Sequence, residues 1–222
     1  MRSLTSVLAL LPALAVQAAD FTAGGASFVV PVTSLKEARF RSTVRQQFDF
    51  SCGSAALATL LSYHYDFPVA EQDIFRDMFA RGDQPRIRRE GFSLLDMKRY
   101  LATRGFTADG FEQPLDKLAQ AGLPAIVLVA DNGYRHFVVV KGVQGDRVLL
   151  GDPAGGTRAL SRPGFEAIWQ NRLLFVIHGS PGKPHFNETA DWRVAPQALL
   201  ADGILRDSLH DVTVPKLGAG DF

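Results

Sequence analysis

The chain holds one cysteine, Cys52, and five histidines, so no second thiol is present to pair with Cys52. Cys52 lies in VRQQFDFSCGSAALATLLSYHY, residues 44–65, where small and apolar residues follow it at helical spacing. A thiol in the first turn of a helix meets unpaired N–H groups and the positive end of the helix dipole. Thiol pKa values in such settings fall to about 3.5–7.5 from about 8.5, so the position predicts a thiolate. Gly53 removes a side chain from the approach to the sulfur, and Ser54, Ala55 and Ala56 allow close packing. Ser51, Ser54 and Asp49 read as capping residues. A thiolate that transfers acyl groups also needs a base, a group that orients the base, and donors for the oxyanion.

His64 sits on the same predicted helix as Cys52, more than three turns away, and cannot reach the thiol. His178 falls at the far end of a strand-like run, and His185 and His210 lie beyond it. His136 opens the apolar run HFVVVKGV directly after a turn, where an imidazole can project into a cleft edge. The neighbouring run RVLLGDP ends in Asp152-Pro153, which places a carboxylate where it can fix the tautomer of His136. The order is then cysteine, histidine, acid.

The elements that must hold these groups can be read from periodicity and turn residues. Helices are predicted over 51–65, 69–80, 94–103 and 114–121, the third entered through Gly91-Phe92-Ser93 and stopped by Gly105. Runs of β-branched residues at 124–130, 136–143 and 147–153, separated by DNGYR and QGD, read as an antiparallel meander, with 173–179 as a further strand. Arg86, Arg88, Arg89 and Glu90 read as a solvated loop. Helices first and sheet second make an α+β chain, its N-terminal helical part packed on the antiparallel sheet.

Gln46, six residues before the cysteine, Cys52-Gly-x-Ala-x-Leu, His136-Phe-Val-Val-Val and Asp152-Pro153 resemble the bacteriocin-processing, double-glycine-leader cysteine peptidases. The resemblance covers about 41–178, including GFSLLDMKRYLATRGF, and implies a papain-like fold. It implies Cys52 as nucleophile, His136 as general base, Asp152 as its orienter and Gln46 in the oxyanion hole. Gln47-Phe48-Asp49 also mimics the Gln-x-Asp that often starts the family motif; spacing to the sulfur favours Gln46 over Gln47. The expected reaction is hydrolysis of a peptide bond, with a cleft that accepts two glycines before it. Rival readings are a non-hydrolytic binding factor for export on the same fold, or a papain-like amidase or acyl transferase.

The chain opens MRSLTSVLALLPALAVQAAD: a positive residue, a short apolar run and small residues, the order of a cleavable export signal over 1–19. An extension over 20–40, a peptidase domain over 41–178 and an appendage over 179–222 follow, with a short helical stretch expected at 196–209. The periplasm is the expected compartment. No transporter or ATPase follows, which resembles stand-alone family members that serve functional-amyloid secretion. The expected partner is a protein or peptide of a secretion pathway, such as an amyloid subunit or an outer-membrane pore. Formal net charge is +1 with both signs interspersed, which gives no support for nucleic-acid binding. No GxxxxGK[ST], CxxC or HExxH spacing is present, so neither ATP, a metal nor another cofactor is expected.

Overall fold

The computed structural model describes the backbone of 18–23 and 26–31, and all atoms of 33–131, 133–180 and 182–196. The export signal expected at 1–19 lies outside the described residues up to Gln17, as does the expected helical stretch beyond Pro196. Strands β1 (Ala18–Ala23) and β2 (Ala26–Pro31) pair antiparallel with each other.

The chain then forms a helical layer. Helix α1 (Leu35–Arg39) starts at Ser34, whose side chain accepts from the Glu37 N–H. Helix α2 (Cys52–His64) is followed by α3 (Glu71–Arg81), α4 (Gln84–Glu90) and α5 (Leu94–Thr103). The residues read as a solvated loop therefore include a helix. Asp83 caps it by accepting from the Arg86 N–H, Pro85 opens its first turn, and Gly91 ends it at φ 78°. Only Ile87 of α4 is buried, so no apolar periodicity marks it in the sequence. Helix α5 begins with a reciprocal capping box between Ser93 and Asp96.

The sheet follows: β3 (Thr107–Glu112), β4 (Ala125–Asp131), β5 (Tyr134–Gln144), β6 (Arg147–Asp152), β7 (Gly156–Ser161) and β8 (Leu173–His178), with α6 (Leu115–Ala121) and α7 (Arg162–Ile168) between strands. The six strands pair antiparallel in the order β3-β8-β4-β5-β6-β7. Helices cover both faces. Leu57, Leu60, Leu61, Met97 and Leu101 meet Ile126, Val139 and Ile177 on one. Leu115, Leu118 and Phe165 meet Val127, Val138, Val140 and Leu150 on the other. Double coverage explains why β4 and β5 are continuous apolar runs rather than alternating ones. Helix α2 is buried along Cys52–Leu61 on every side, because sheet, α3 and α5 all close on it.

Candidate active site

Cys52 is the first residue of α2, as its sequence position implied. Gly53 is needed for a different reason from the one expected. A Cβ there would stand 2.8 Å from Met97 Cε and 3.1 Å from Phe92 Cβ, so the glycine lets α2 seat against the α5 region. Ser51 does not cap α2 with its side chain; its hydroxyl accepts from the Phe48 N–H and donates to the Phe48 carbonyl, closing a tight turn before the cysteine.

The thiol is only 8% exposed. Burial pushes its pKa up, and the charge of Asp152 pushes the same way; the backbone N–H groups of Phe137, Gly53 and Cys52 itself pull it down but do not compensate. The lowered pKa expected from the helix start is therefore corrected. The helix donors are present, and desolvation outweighs them.

His136 lies within β5 opposite Val129, one turn of the pleat into the strand rather than at its first residue. The pair Val139↔Gly151, extended one step, sets Asp152 opposite Val138 and diagonal to His136 on the same face. His136 Nε2 and Asp152 Oδ2 are 3.2 Å apart, both side chains almost fully buried. An imidazole that donates from Nε2 keeps a lone pair on Nδ1, and Nδ1 is buried with no partner among the described residues. That nitrogen is free to accept a thiol proton.

Asp152 divides its oxygens between two tasks. Oδ1 accepts from the N–H groups of Ala154 (2.9 Å) and Gly155 (3.3 Å), which is a turn aspartate's ordinary work. Oδ2 faces His136 and also Arg158 Nη2, at 3.2 Å. Burial works to raise the Asp152 pKa, but the bond from His136 and its charge, the Ala154 N–H and Arg158 outweigh it. The carboxyl is held below the usual range. Sequence reasoning missed Arg158. Reading GDPAGGTRALS as a tight hairpin would have found it, since Arg158 stands opposite Leu150, beside Asp152. It also missed Tyr134, whose ring stacks on His136 at 5.1 Å while its hydroxyl donates to the Asp49 carbonyl at 3.2 Å.

The two glutamines part company. Gln47 is exposed and its Oε1 accepts from Gln72 Nε2 at 2.8 Å, which commits it to α3. Gln46 is half-buried, its N–H donates to the Pro153 carbonyl at 3.1 Å, and its Oε1 is buried without a partner among the described residues. Gln46 is thus held beside the Asp152-Pro153 turn. Cys52 and His136 line one cleft of about 530 Å³ with Phe92, Leu128, Arg135 and Phe137, and α4 adds Arg86 and Glu90 at its rim. The remaining described histidines are occupied elsewhere. His64 Nδ1 bonds the His185 carbonyl, His178 bonds Asp109 and His185 bonds Asp66. Among the described residues no group of three or more His, Cys, Asp or Glu side chains could hold a metal.

A family model described as the peptidase C39 family matches residues 41–180. A protein of Pseudomonas fluorescens named probable functional amyloid protease FapD is 44% identical over 70% of this chain and 69% of its own length. A protein of the same name from Pseudomonas aeruginosa PAO1 is 43% identical over 81% of this chain and 80% of its own length. Among solved structures, a double glycine motif protease from an AMS/PCAT transporter, in complex with its leader peptide, has a TM-score of 0.51 and 26% identity. The match covers 64% of this chain and 90% of that one. The peptidase domain of Streptococcus ComA has a TM-score of 0.51 at 20% identity, over 61% of this chain and 96% of that one, and shares the fold.

Proposed function

The chain belongs to the peptidase C39 family and is a cysteine-type peptidase with a papain-like α+β fold, and on that basis we propose its substrate, compartment and residue roles. The substrate is a protein of a functional-amyloid export pathway, cleaved in the periplasm after a Gly-Gly type leader motif. The two Pseudomonas relatives named as functional amyloid proteases and the neighbour bound to its leader peptide support that choice. The amino-terminal order of charge, apolar run and small residues supports export. No helix among the described residues is long and apolar enough to cross a membrane.

In the proposed reaction Cys52 Sγ attacks the scissile carbonyl while its proton passes to His136 Nδ1. Asp152 holds the imidazole through Nε2 and stabilises the positive charge it gains. Gln46 and the Cys52 N–H bind the oxyanion. The C–N bond then breaks and the amine leaves with the proton from His136. Water, deprotonated by His136, hydrolyses the thioester and restores the thiol. The observation that carries this scheme is a buried His136 with Nε2 on Asp152 and Nδ1 uncommitted, lining one cleft with Cys52.

The test compares wild type with Cys52→Ala and His136→Ala on a quenched-fluorescence peptide bearing Gly-Gly ahead of the labelled bond, and in cells lacking the native copy. Both variants should lose cleavage and leave an export-pathway protein uncut, while His64→Ala keeps most of the activity. Normal export with Cys52→Ala would show a binding factor instead of a peptidase at work in the pathway.

A further inference from the structure

The family match ends at residue 180, yet residues 182–196 are built into the domain. His185 N–H donates to the His64 carbonyl at 2.9 Å, and Asn187 N–H donates to the Lys141 carbonyl at 3.0 Å. Asn187 Nδ2 reaches the Val143 carbonyl at 3.1 Å. Asn187 also packs so closely on Gly142 that a Cβ there would lie 2.3 Å from Oδ1. Arg147 covers the Trp192 ring and donates to the Ala195 carbonyl at 2.6 Å. Helix α8 (Thr189–Trp192) then presents Asp191 to an ammonium that is completely enclosed. Lys141 Nζ is 2.9 Å from Asp191 Oδ2, and its side chain has no exposure.

Both charges converge on Ser42. Lys141 donates to the Ser42 carbonyl at 2.8 Å and to its hydroxyl at 2.7 Å, and the hydroxyl in turn donates to Asp191 Oδ1. Ser42 opens the segment that ends at Gln46. Thr43 Oγ1 meets Thr157 Oγ1 at 2.8 Å, Val44 N–H donates to Thr59 Oγ1 at 2.9 Å, and Gln46 N–H holds the Pro153 carbonyl. Four of the five residues 42–46 are tied in turn to the strap, to β7, to α2 and to the turn that carries Asp152.

We propose that residues 182–196 form a positioning strap, in which Asp191 and Lys141 close on Ser42 and thereby set the Gln46 side chain for the oxyanion. The inference rests on the role assigned to Gln46 above. Asp191 and Lys141 touch no substrate and act through the 42–46 segment. A buried ion pair that served stability alone would be a poor device, since its desolvation offsets most of its attraction. One that fixes a register for a neighbouring segment fits what buried pairs do best.

The test separates oxyanion binding from nucleophile reactivity. p-Nitrophenyl acetate acylates the thiol through a tetrahedral oxyanion, whereas iodoacetamide alkylates it with none. Asp191→Asn, and Lys141→Met with Asp191→Leu in one protein, are each made in the wild-type and the Gln46→Ala background. The paired change removes both charges and so leaves no buried ion alone should Asp191→Asn fail to fold. Acylation should fall about tenfold or more in the wild-type background, with alkylation unchanged. With Gln46→Ala the same changes should cost no more than about twofold, because the group they act on is gone. An equal loss in both backgrounds, a parallel loss of alkylation, or no loss at all would overturn the strap's positioning role. A silent Gln46→Ala would overturn the role of Gln46 and the inference with it. Failure of the peptidase reading itself registers separately, as p-nitrophenyl acetate hydrolysis that Cys52→Ala does not reduce.

Discussion

Replacing Asp152 by alanine tests the electrostatics of the site most directly. The scheme creates an imidazolium at His136 whose Nε2 lies 3.2 Å from Asp152 Oδ2. At an effective dielectric of about 20, that separation corresponds to an attraction of about 5 kcal/mol. The full amount is not available, because Arg158 Nη2 sits 3.2 Å from the same oxygen and a further 3.1 Å contact ties it to Asp131. If the cation cancels half of the carboxylate's field at the ring, about 2.5 kcal/mol remains, close to a hundredfold in rate at about 1.4 kcal/mol per tenfold. Asp152→Ala should therefore lower kcat for peptide cleavage by about a hundredfold, with KM little changed. Asp152→Asn keeps an acceptor for Nε2–H and loses only the charge, so it should fall between alanine and wild type. Removing the stranded cation in the alanine background, Arg158→Leu, should recover part of the loss. Stopped-flow or fluorescence assays of the four proteins, with circular dichroism to confirm folding, decide the matter. An alanine variant within threefold of wild type, or an asparagine variant below it, would refute the assignment of Asp152 as orienter.

Alkylation of Cys52 by iodoacetamide should rise with pH and inflect above the free-thiol value of about 8.5, since burial raises this thiol; an inflection below that value would show that the helix donors win after all. His64 is buried and neutral, its pKa pushed down to about 4 by burial, with Lys141 adding to the effect. Its contribution to stability is complete above about pH 6.5 and drains away as pH falls towards 4, by about 3 kcal/mol in total. His64→Leu should flatten the urea-midpoint profile across that window, and an unchanged profile would remove His64 as the cause. Gly156 has φ 80°, and a Cβ there would lie 2.7 Å from Arg39 Cβ and 2.9 Å from the Arg39 carbonyl oxygen. Gly156→Ala should cost about 1–3 kcal/mol, read as a lower Tm, and a Tm equal to wild type would show that α1 moves aside freely.

What the sequence reveals of this molecule follows the range of the forces involved. The first turn of α2 and the β4–β5–β6 meander depend on local periodicity and turn chemistry, and each stands where the residues imply; the same meander brings His136 against Asp152. Helix α4 escaped because only Ile87 is buried, although its Asp83, Pro85 and Gly91 punctuation was present. Strands β3 and β7 are the two edges of the sheet. TADGFE buries one residue, Ala108, and GTRALS two at its start, so neither shows a sustained apolar pattern. The partners Lys141 and Asp191, or His64 and His185, meet only once the fold has formed, and no spacing rule joins them.

The thiol shows most clearly why a local argument can mislead. Being at a helix start depends on sequence neighbours, whereas being buried in the fold depends on distant ones, and the second effect sets the sign of the shift. On the roles proposed for Cys52 and His136, a raised thiol pKa favours attack coupled to loss of the thiol proton over a standing thiolate. That arrangement has a consequence for a lone cysteine in the oxidising compartment proposed above. Oxidation and disulfide exchange proceed through the thiolate and need access to it. A buried thiol whose pKa is raised holds little thiolate and is poorly reactive towards either. On the export and the nucleophile role proposed above, burial would then protect Cys52 where no second cysteine is present to pair with it.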